Sequence, residues 1–485
     1  MPRQPDDAPL ARALEDFLAA PGTPFTLPGH KRAAWLDDPF LALDVPYIPG
    51  VEDAKLSTGV LARAQALAAS LWGADACRFS VGGSTMANQA LALAVARPGD
   101  RVAIARSIHK SLFAGLVLAG LEPVWMLPQV DPVTGLTAGL PVAEVERALA
   151  EDVRAVFLVE PSYTGVLSDV AAIAEVVHRA RVPLVVDQAW GAHLGLSDAM
   201  PRNAMQSGAD AAVISVHKTL TAFTQAALVL FDGDRVDERR VDAAFEALNT
   251  TSPSAAIYAS IDRTRALMAS RGEELLARAA ALADRIRRGL TAIDGAVLLD
   301  DDVIARHASA ATRDPLKLVV SLAGTGADGF AVEQDLLHEG VRLEMADRDT
   351  LVPILTLADD EAAAERLVAA LTRSLERRRA APRPVAASTA WRAAPRIALS
   401  PREAFFAPAE LVAAEDAIGR VSAELAAPYP PGIPALAPGE VVTAELLDAL
   451  QREAAAGTTI RYCADAALRH VLVVARSSSR PSSGS

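Results

Sequence analysis

The chain has 485 residues, 51% of them hydrophobic, and a formal charge of −13; this length allows more than one domain with ample core, and the acidic balance argues against a nucleic-acid partner while tolerating a cationic substrate. Cys77 and Cys463 are too few and too far apart for a disulfide framework or a thiolate metal site, so no metal is expected and both should be small buried apolar residues. No apolar run reaches the roughly 20 residues of a membrane span, and Met1-Pro2-Arg3-Gln4 lacks the apolar core of a signal peptide, so a cytoplasmic protein without membrane contact is expected.

Residues 1–60 read as an N-terminal segment. Helical apolar spacing runs from Leu61 to Trp72, followed by Gly82-Gly83-Ser84-Thr85 and a second helical run, Met86 to Val95. Short apolar runs then recur at 101–105, 155–159, 183–187 and 211–215, each with the continuous character of a strand buried on both faces. Helix-length stretches such as Leu112 to Leu121 and Val170 to Ala180 separate them. The alternation predicts an α/β domain with a mainly parallel sheet over 61–295, closed by a long charged helix from about 265 to 295. Runs at 316–322, 341–345 and 351–357 predict a smaller α/β domain over 296–375. Residues 376–399, with Arg377-Arg378-Arg379 and several Ala and Pro, read as a connector; 400–476 form a last segment, and Ser-rich 477–485 reads as a disordered tail.

Lysine is the rare cation. It occurs only at 31, 55, 110, 218 and 317 among 47 Lys plus Arg residues, so arginine serves wherever a surface cation suffices. Lys218 sits in Ser215-Val216-His217-Lys218-Thr219, at the end of a run that reads as a buried strand. A desolvated lysine can lose its proton and form a Schiff base with a carbonyl, which arginine cannot do. A pyridoxal 5'-phosphate (PLP) enzyme needs that reaction.

The residues near the other strand ends are compatible with this chemistry, and each also has a plainer role. Gly82-Gly83-Ser84-Thr85 offers backbone N–H groups, a helix dipole and hydroxyls to a phosphate, or forms a simple helix cap. Asp187 could pair with a protonated pyridine nitrogen, or cap a turn; it precedes Lys218 by one helix and one strand, which would bring both to the carboxyl edge of one sheet. His109 could lie flat on a cofactor ring or cap the next helix, and Lys110 needs no role beyond an exposed cation. Ser215 and His217 can donate to phosphate, although Ser215 also fits as a core hydroxyl. Asn249-Thr250-Thr251-Ser252-Pro253-Ser254 is an anion-binding turn or an ordinary loop.

Together these residues resemble the Orn/Lys/Arg decarboxylase family of fold-type-I PLP enzymes, in particular its short bacterial members. The resemblance covers most of the chain. Its landmarks are Leu27-Pro28-Gly29-His30-Lys31, Gly83-Ser84-Thr85, His109-Lys110-Ser111, Asp187-Gln188-Ala189-Trp190-Gly191-Ala192-His193, Ser215 to Leu220 with Thr224-Gln225, Thr251-Ser252-Pro253-Ser254, Glu344-Met345-Ala346-Asp347, Pro428 to Pro434, and Pro438-Gly439-Glu440. The resemblance implies that Lys218 holds PLP, Asp187 the pyridine nitrogen, His109 one ring face and Ala189 the other, while Gly83, Ser84, Thr85, Ser215 and His217 hold the phosphate. It further implies that Thr250 or Thr251 reaches the phosphate of the neighbouring subunit, making a homodimer, or a dimer of dimers, with a shared active site. His217 and Lys218 are the candidate proton donors to Cα, and Glu344 matches an acidic position that would receive a basic substrate side chain; otherwise it is a solvated strand residue.

The expected reaction is decarboxylation of lysine, arginine or ornithine to cadaverine, agmatine or putrescine. Other PLP chemistry on a basic amino acid (transamination, elimination or oxidative deamination) and a noncatalytic regulatory homologue are the alternatives, because cofactor residues alone do not decide which Cα bond breaks. Gln188 replaces the usual Glu, Asn249-Thr250 replaces the usual Thr-Ser, and the N-terminal wing of the large inducible decarboxylases has no counterpart, so a dimer or tetramer is expected rather than their decamer.

Overall fold

The computed structural model describes residues 7–19, 27–45, 59–131, 133–307, 309–385, 395–429 and 432–476. The tail 477–485 and Pro430-Pro431 of the Pro-rich landmark lie outside the described residues. Helices α1 (Pro9–Ala19) and α2 (Val60–Trp72) precede the alternating section. This runs β1 (Ala76–Ser80), α3 (Gly83–Val95), β2 (Arg101–Ala105), α4 (Lys110–Ala119), β3 (Glu122–Met126), α5 (Val142–Leu149), β4 (Val156–Val159), β5 (Val166–Ser168), α6 (Val170–Arg179), β6 (Leu184–Asp187), β7 (Ala211–Ser215), one-turn α7 (Val216–Thr219) and β8 (Ala227–Phe231). Helices α8 (Glu238–Leu248) and α9 (Ala255–Thr291) follow.

Seven of these strands form one sheet in the order β1-β8-β7-β6-β4-β2-β3. Its centre is parallel, and β8 pairs antiparallel with both β7 and β1. Side chains alternate across the pleat. Leu158, Leu184, Val186, Ala212 and Ile214 join the hydrophobic core on one face, while Phe157, Val159, Val185, Ala211 and Val213 join the core on the other. Burial on both sides explains why these strands read as unbroken apolar runs. The order reverses between β2 and β4, the type of switch point at which open α/β sheets bind ligands beyond their carboxyl ends.

After α9 come β9 (Val297–Leu298), α10 (Asp301–Ala305), β10 (Ala310–Arg313), β11 (Val320–Ser321), α11 (Gly329–His338), β12 (Met345–Ala346), β13 (Thr350–Val352) and α12 (Glu361–Arg377). A small antiparallel sheet, β12-β13-β11-β9, is built from them. The final part adds helices 401–406, 414–417 and 444–455 and two antiparallel strand pairs, 409–413 with 470–474 and 427–429 with 459–461.

Several elements differ from the sequence expectation. The second helix starts at Gly83 rather than Met86, because Gly83 at φ +69° turns the chain directly into it. The long helix begins at Ala255, ten residues early, where Ser254 in extended conformation marks its start. The apolar runs 316–322, 341–345 and 351–357 shrink to strands of two or three residues, since backbone pairing in the small sheet is short. Helix α12 extends to Arg377, into the stretch read as connector. Cys77 is buried, but Cys463 is only half-buried, its thiol lying near the Ile460 and Asp465 carbonyls.

Candidate active site

Lys218 is not on a strand. β7 ends at Ser215, and the chain winds at once into α7, so Lys218 leaves from a helical turn at the sheet's carboxyl edge. Asp187 is the last residue of β6, the neighbouring strand, and His109 follows β2 as the N-cap of α4. One small cavity is lined by Ser84, His109, Asp187, Ala189, Trp190 and Lys218, with Tyr163 on its wall. A larger cleft of about 510 Å³, bordered by Asp198, Arg202 and Arg313, contains none of the expected cofactor residues.

Asp187 is 4% exposed and accepts hydrogen bonds from Asn88 Nδ2 at 2.7 Å and from the Ala189 N–H at 3.1 Å. Burial raises its pKa, against the opposing pull of Lys218, Asn88 and Ala189. This is a carboxylate short of a cation. The same burial lowers the pKa of Lys218, although Asp187 and Glu344 oppose the shift. Burial, Lys218 and Lys110 bring His109 down to about 4, so its imidazole is neutral at pH 7. His109 Nδ1 accepts from the Ser111 N–H at 3.2 Å and lies 2.8 Å from Ser111 Oγ, so it caps α4 while facing the cavity. Of the two roles left open by the sequence, the helix cap is the one present here.

Ser215 Oγ is fully buried and has no hydrogen-bond partner, which is costly for a hydroxyl unless a ligand supplies one. His217 Nδ1 donates to the Ala226 carbonyl at 2.9 Å, which leaves Nε2 available, and burial lowers its pKa. Gly83 approaches the Gln225 carbonyl, where an added Cβ would lie 3.9 Å away. Ser84 faces the cavity, whereas Thr85 is exposed and does not line it. An aromatic aldehyde phosphate suits this donor set, which offers an unpaired buried hydroxyl, helix N–H groups, a buried carboxylate and a desolvated lysine.

Two expected groups of residues lie outside the cavity. Thr250 and Thr251 are exposed, with Thr250 Oγ1 accepting from the Ser252 N–H at 3.2 Å, and neither lines the Lys218 cavity of its own chain. Glu344 is exposed and sits in a bend one residue before β12, not in a strand, because only Met345 and Ala346 pair with β13. It still lies close enough to Lys218 and Lys317 to offset part of the lowering that burial imposes on both. Gln188, the departure from the usual Glu, donates from Nε2 to the Gly191 carbonyl at 2.7 Å and accepts from the Ala204 N–H at 2.6 Å. An amide satisfies both contacts, whereas an ionised carboxylate has no proton for the first.

The sequence reading missed Asn88, Ser111, Tyr163 and Lys317. Asn88 had a signal, since it stands one helical turn beyond Ser84 on the same face of α3. Among the described residues, no cluster of three or more His, Cys, Asp or Glu is placed to hold a metal, and no helix is long and apolar enough to cross a membrane.

Residues 8–363 match the Orn/Lys/Arg decarboxylase major domain, and residues 385–456 match the C-terminal domain of the same enzymes. The chain belongs to the Orn/Lys/Arg decarboxylase family. It is 33% identical to the arginine decarboxylase of Bacillus subtilis over 482 residues, covering 96% of this chain and 98% of that protein. A crystal structure of Francisella novicida lysine decarboxylase superposes with a TM-score of 0.83 at 20% identity, covering 97% of this chain and 82% of that one. Serine palmitoyltransferase from S. paucimobilis with bound PLP shares the fold more distantly, with a TM-score of 0.51 at 15% identity, covering 65% of this chain and 76% of that one. The fold is therefore α/β, of the fold-type-I PLP-dependent kind, and this member of the family is an amino-acid decarboxylase acting on a basic amino acid. Family and fold both imply PLP as the cofactor.

Proposed function

We propose that this decarboxylase converts arginine to agmatine, using PLP attached to Lys218, as a cytoplasmic homodimer or dimer of dimers. The observation that carries the chemistry is the desolvated Lys218 in one cavity with buried Asp187 and neutral His109. Likeness to the B. subtilis arginine decarboxylase along nearly the whole of both chains favours arginine over lysine and ornithine.

In this reading Asp187 pairs with the pyridine nitrogen, which supplies the positive charge its burial lacks, and Asn88 fixes the carboxylate's orientation. His109 covers one face of the ring and Ala189 the other. Gly83, Ser84, Thr85, Ser215 and His217 surround the phosphate. Neutral His217, with its Nδ1 proton given to the Ala226 carbonyl, presents a lone pair at Nε2, so a phosphate contact there draws a proton onto that atom. Thr250 or Thr251 reaches the phosphate of the partner's site, consistent with their lying outside the cavity of their own chain. Bound PLP supplies an electron sink for the pair left on Cα when the carboxylate departs. Lys218 Nζ, whose pKa burial lowers, is suited to carry a proton to Cα at neutral pH. Glu344 receives the guanidinium.

We further propose that the main sheet section, 61–295, forms the cofactor domain, that 296–375 is a second, smaller domain, and that 400–476 is a third, C-terminal unit. Incubating purified holoenzyme with equimolar arginine, lysine and ornithine and identifying the amine by mass tests the proposed reaction. Agmatine is expected. Cadaverine or putrescine would replace the substrate, and an absence of any amine or CO2 would overturn decarboxylation.

A further inference from the structure

Of the five lysines, Lys31 and Lys110 are exposed, while Lys317 is buried at 2% exposure. Its Nζ has no hydrogen-bond partner. It lies 3.7 Å from the centroid of the Trp190 ring, the same ring that Lys218 Nζ approaches to 4.4 Å. Trp190 lines the Lys218 cavity, and its own indole N–H is buried without a partner. Two unsatisfied donors thus belong to two residues in contact beside the reactive lysine.

The fold makes room for this lysine. Gly165 has φ +87°, and a Cβ added there would stand 2.5 Å from Cβ and Cγ of Lys317, so the glycine lets the lysine stem pass. Lys317 N–H donates to the Asp314 carbonyl at 3.2 Å, and its own carbonyl accepts from Arg287 at 2.8 Å, which fixes the backbone. The charged groups around the ammonium are Asp314, Glu344 and Lys218. Asp314 is engaged by His193 Nε2 at 2.9 Å and by the Leu316 N–H, and Glu344 is exposed, so neither closes an ion pair on Lys317. Desolvation brings the ammonium down to about 8. A cation held this deep without an anion is costly, and a cation needed only to stack on an indole would be the arginine this chain uses nearly everywhere else.

We propose that Lys317, with the Trp190 N–H beside it, receives the α-carboxylate of the bound amino acid. The inference rests on the decarboxylase reading and deepens it. Glu344 attracts the cationic end of a basic substrate and repels its carboxylate, whereas Lys317 attracts the carboxylate, so charges of opposite sign set the direction in which the substrate lies. When the bond from Cα to the carboxylate carbon breaks, the electron pair stays with Cα and CO2 leaves uncharged. Lys317 then has nothing to hold. The product amine lacks the group this residue binds, so its affinity is independent of Lys317.

The test uses two ligands that differ at that group. 5-Guanidinopentanoate keeps the carboxylate and guanidinium of arginine but has no amine, and agmatine keeps the amine and guanidinium but has no carboxylate. Each is titrated calorimetrically into holoenzyme of the wild type, Lys317→Met, Lys317→Gln and Lys317→Arg. Both neutral variants are expected to weaken the acid by about tenfold or more and to leave agmatine within about twofold, while Lys317→Arg restores most of the loss. KM for arginine should rise more than kcat falls. Equal weakening of both ligands, as a merely structural stack would produce, or unchanged acid binding overturns the proposal. If the wild type decarboxylates lysine instead, the arginine assignment falls, and the same ratio measured with 6-aminohexanoate and cadaverine decides the role of Lys317.

Discussion

Asn88 Nδ2 donates to Asp187 Oδ2 at 2.7 Å and reaches Ser111 Oγ at 3.1 Å, and Ser111 Oγ in turn lies 2.8 Å from His109 Nδ1. One buried amide on α3 therefore couples the carboxylate on β6 to the imidazole that caps α4. Replacing it by alanine removes a hydrogen bond to a charged group and frees Ser111. Such bonds contribute about 1.5–3 kcal/mol, so Asn88→Ala should weaken PLP binding by roughly 10–100-fold, measured by absorbance titration of apoprotein. Asn88→Asp should do worse, because it sets a second carboxylate against the first. Wild-type PLP affinity in Asn88→Ala would show that the coupling is incidental.

Arg106, just beyond β2, is 1% exposed and forms a two-pronged ion pair with Glu440, at 2.5 and 2.9 Å. Its guanidinium also donates to the Ala435 carbonyl and lies 4.5 Å from the centroid of the Trp125 ring. This pair ties the C-terminal segment to the edge of the main sheet. Removing one partner strands the other charge, which costs about 3–5 kcal/mol, whereas removing both costs much less. Chemical denaturation should therefore rank Glu440→Ala well below Arg106→Met/Glu440→Met; a single variant as stable as the double would refute the pairing.

Burial on both faces leaves no alternation to misread, and β2, β4, β6 and β7 fall where the apolar runs stand, whereas β8, equally buried inside the sheet, is not among the runs read from the sequence. The edge strands were harder. β1 contains Arg78, engaged by Asp242 and Glu238, and β3 opens on Glu122-Pro123, so composition hides both. At the site, residues with distinctive chemistry such as Lys218, Asp187 and His109 could be found one by one. Ser111 and Lys317 could not, because their significance lies in contacts the sequence does not display, Ser111 with Asn88 and Lys317 with Trp190; Asn88, though one turn beyond Ser84, shows its role only through Asp187, 99 residues away. Glu344 reads as a strand residue because it falls within the run 341–345, yet pairing begins only at Met345.

Glu160 lies at the end of β4, fully buried, accepting from the Ser168 N–H at 3.0 Å and from the Ser168 hydroxyl. Burial outweighs these bonds and raises its carboxyl from 4.5 to about 7. The folded protein thus holds a proton there that the unfolded chain releases above 4.5. The stability this contributes is fully present below pH 4.5 and is lost as pH rises through about 7, with a slope of at most ~1.4 kcal/mol per pH unit. Glu160→Gln should flatten that part of the stability profile, measured by urea unfolding at pH 5.0, 6.0 and 7.5. A variant with the wild-type slope would assign the titration elsewhere.

Thr250 and Thr251 stand exposed, away from the cavity of their own chain, as residues serving a partner's site would. If they act across the dimer, a chain lacking Lys218 and a chain lacking both threonines carry complementary defects. Lys218→Ala and Thr250→Val/Thr251→Val homodimers should each be nearly inactive. After subunit exchange, half the dimers are hybrids, and each hybrid contains one site with Lys218 from one chain and both threonines from the other. Activity should recover to about a quarter of the wild-type value. Hybrids verified by native mass spectrometry that remain as inactive as their parents would place the threonines and Lys218 in the same chain's site, or remove the threonines from the site altogether.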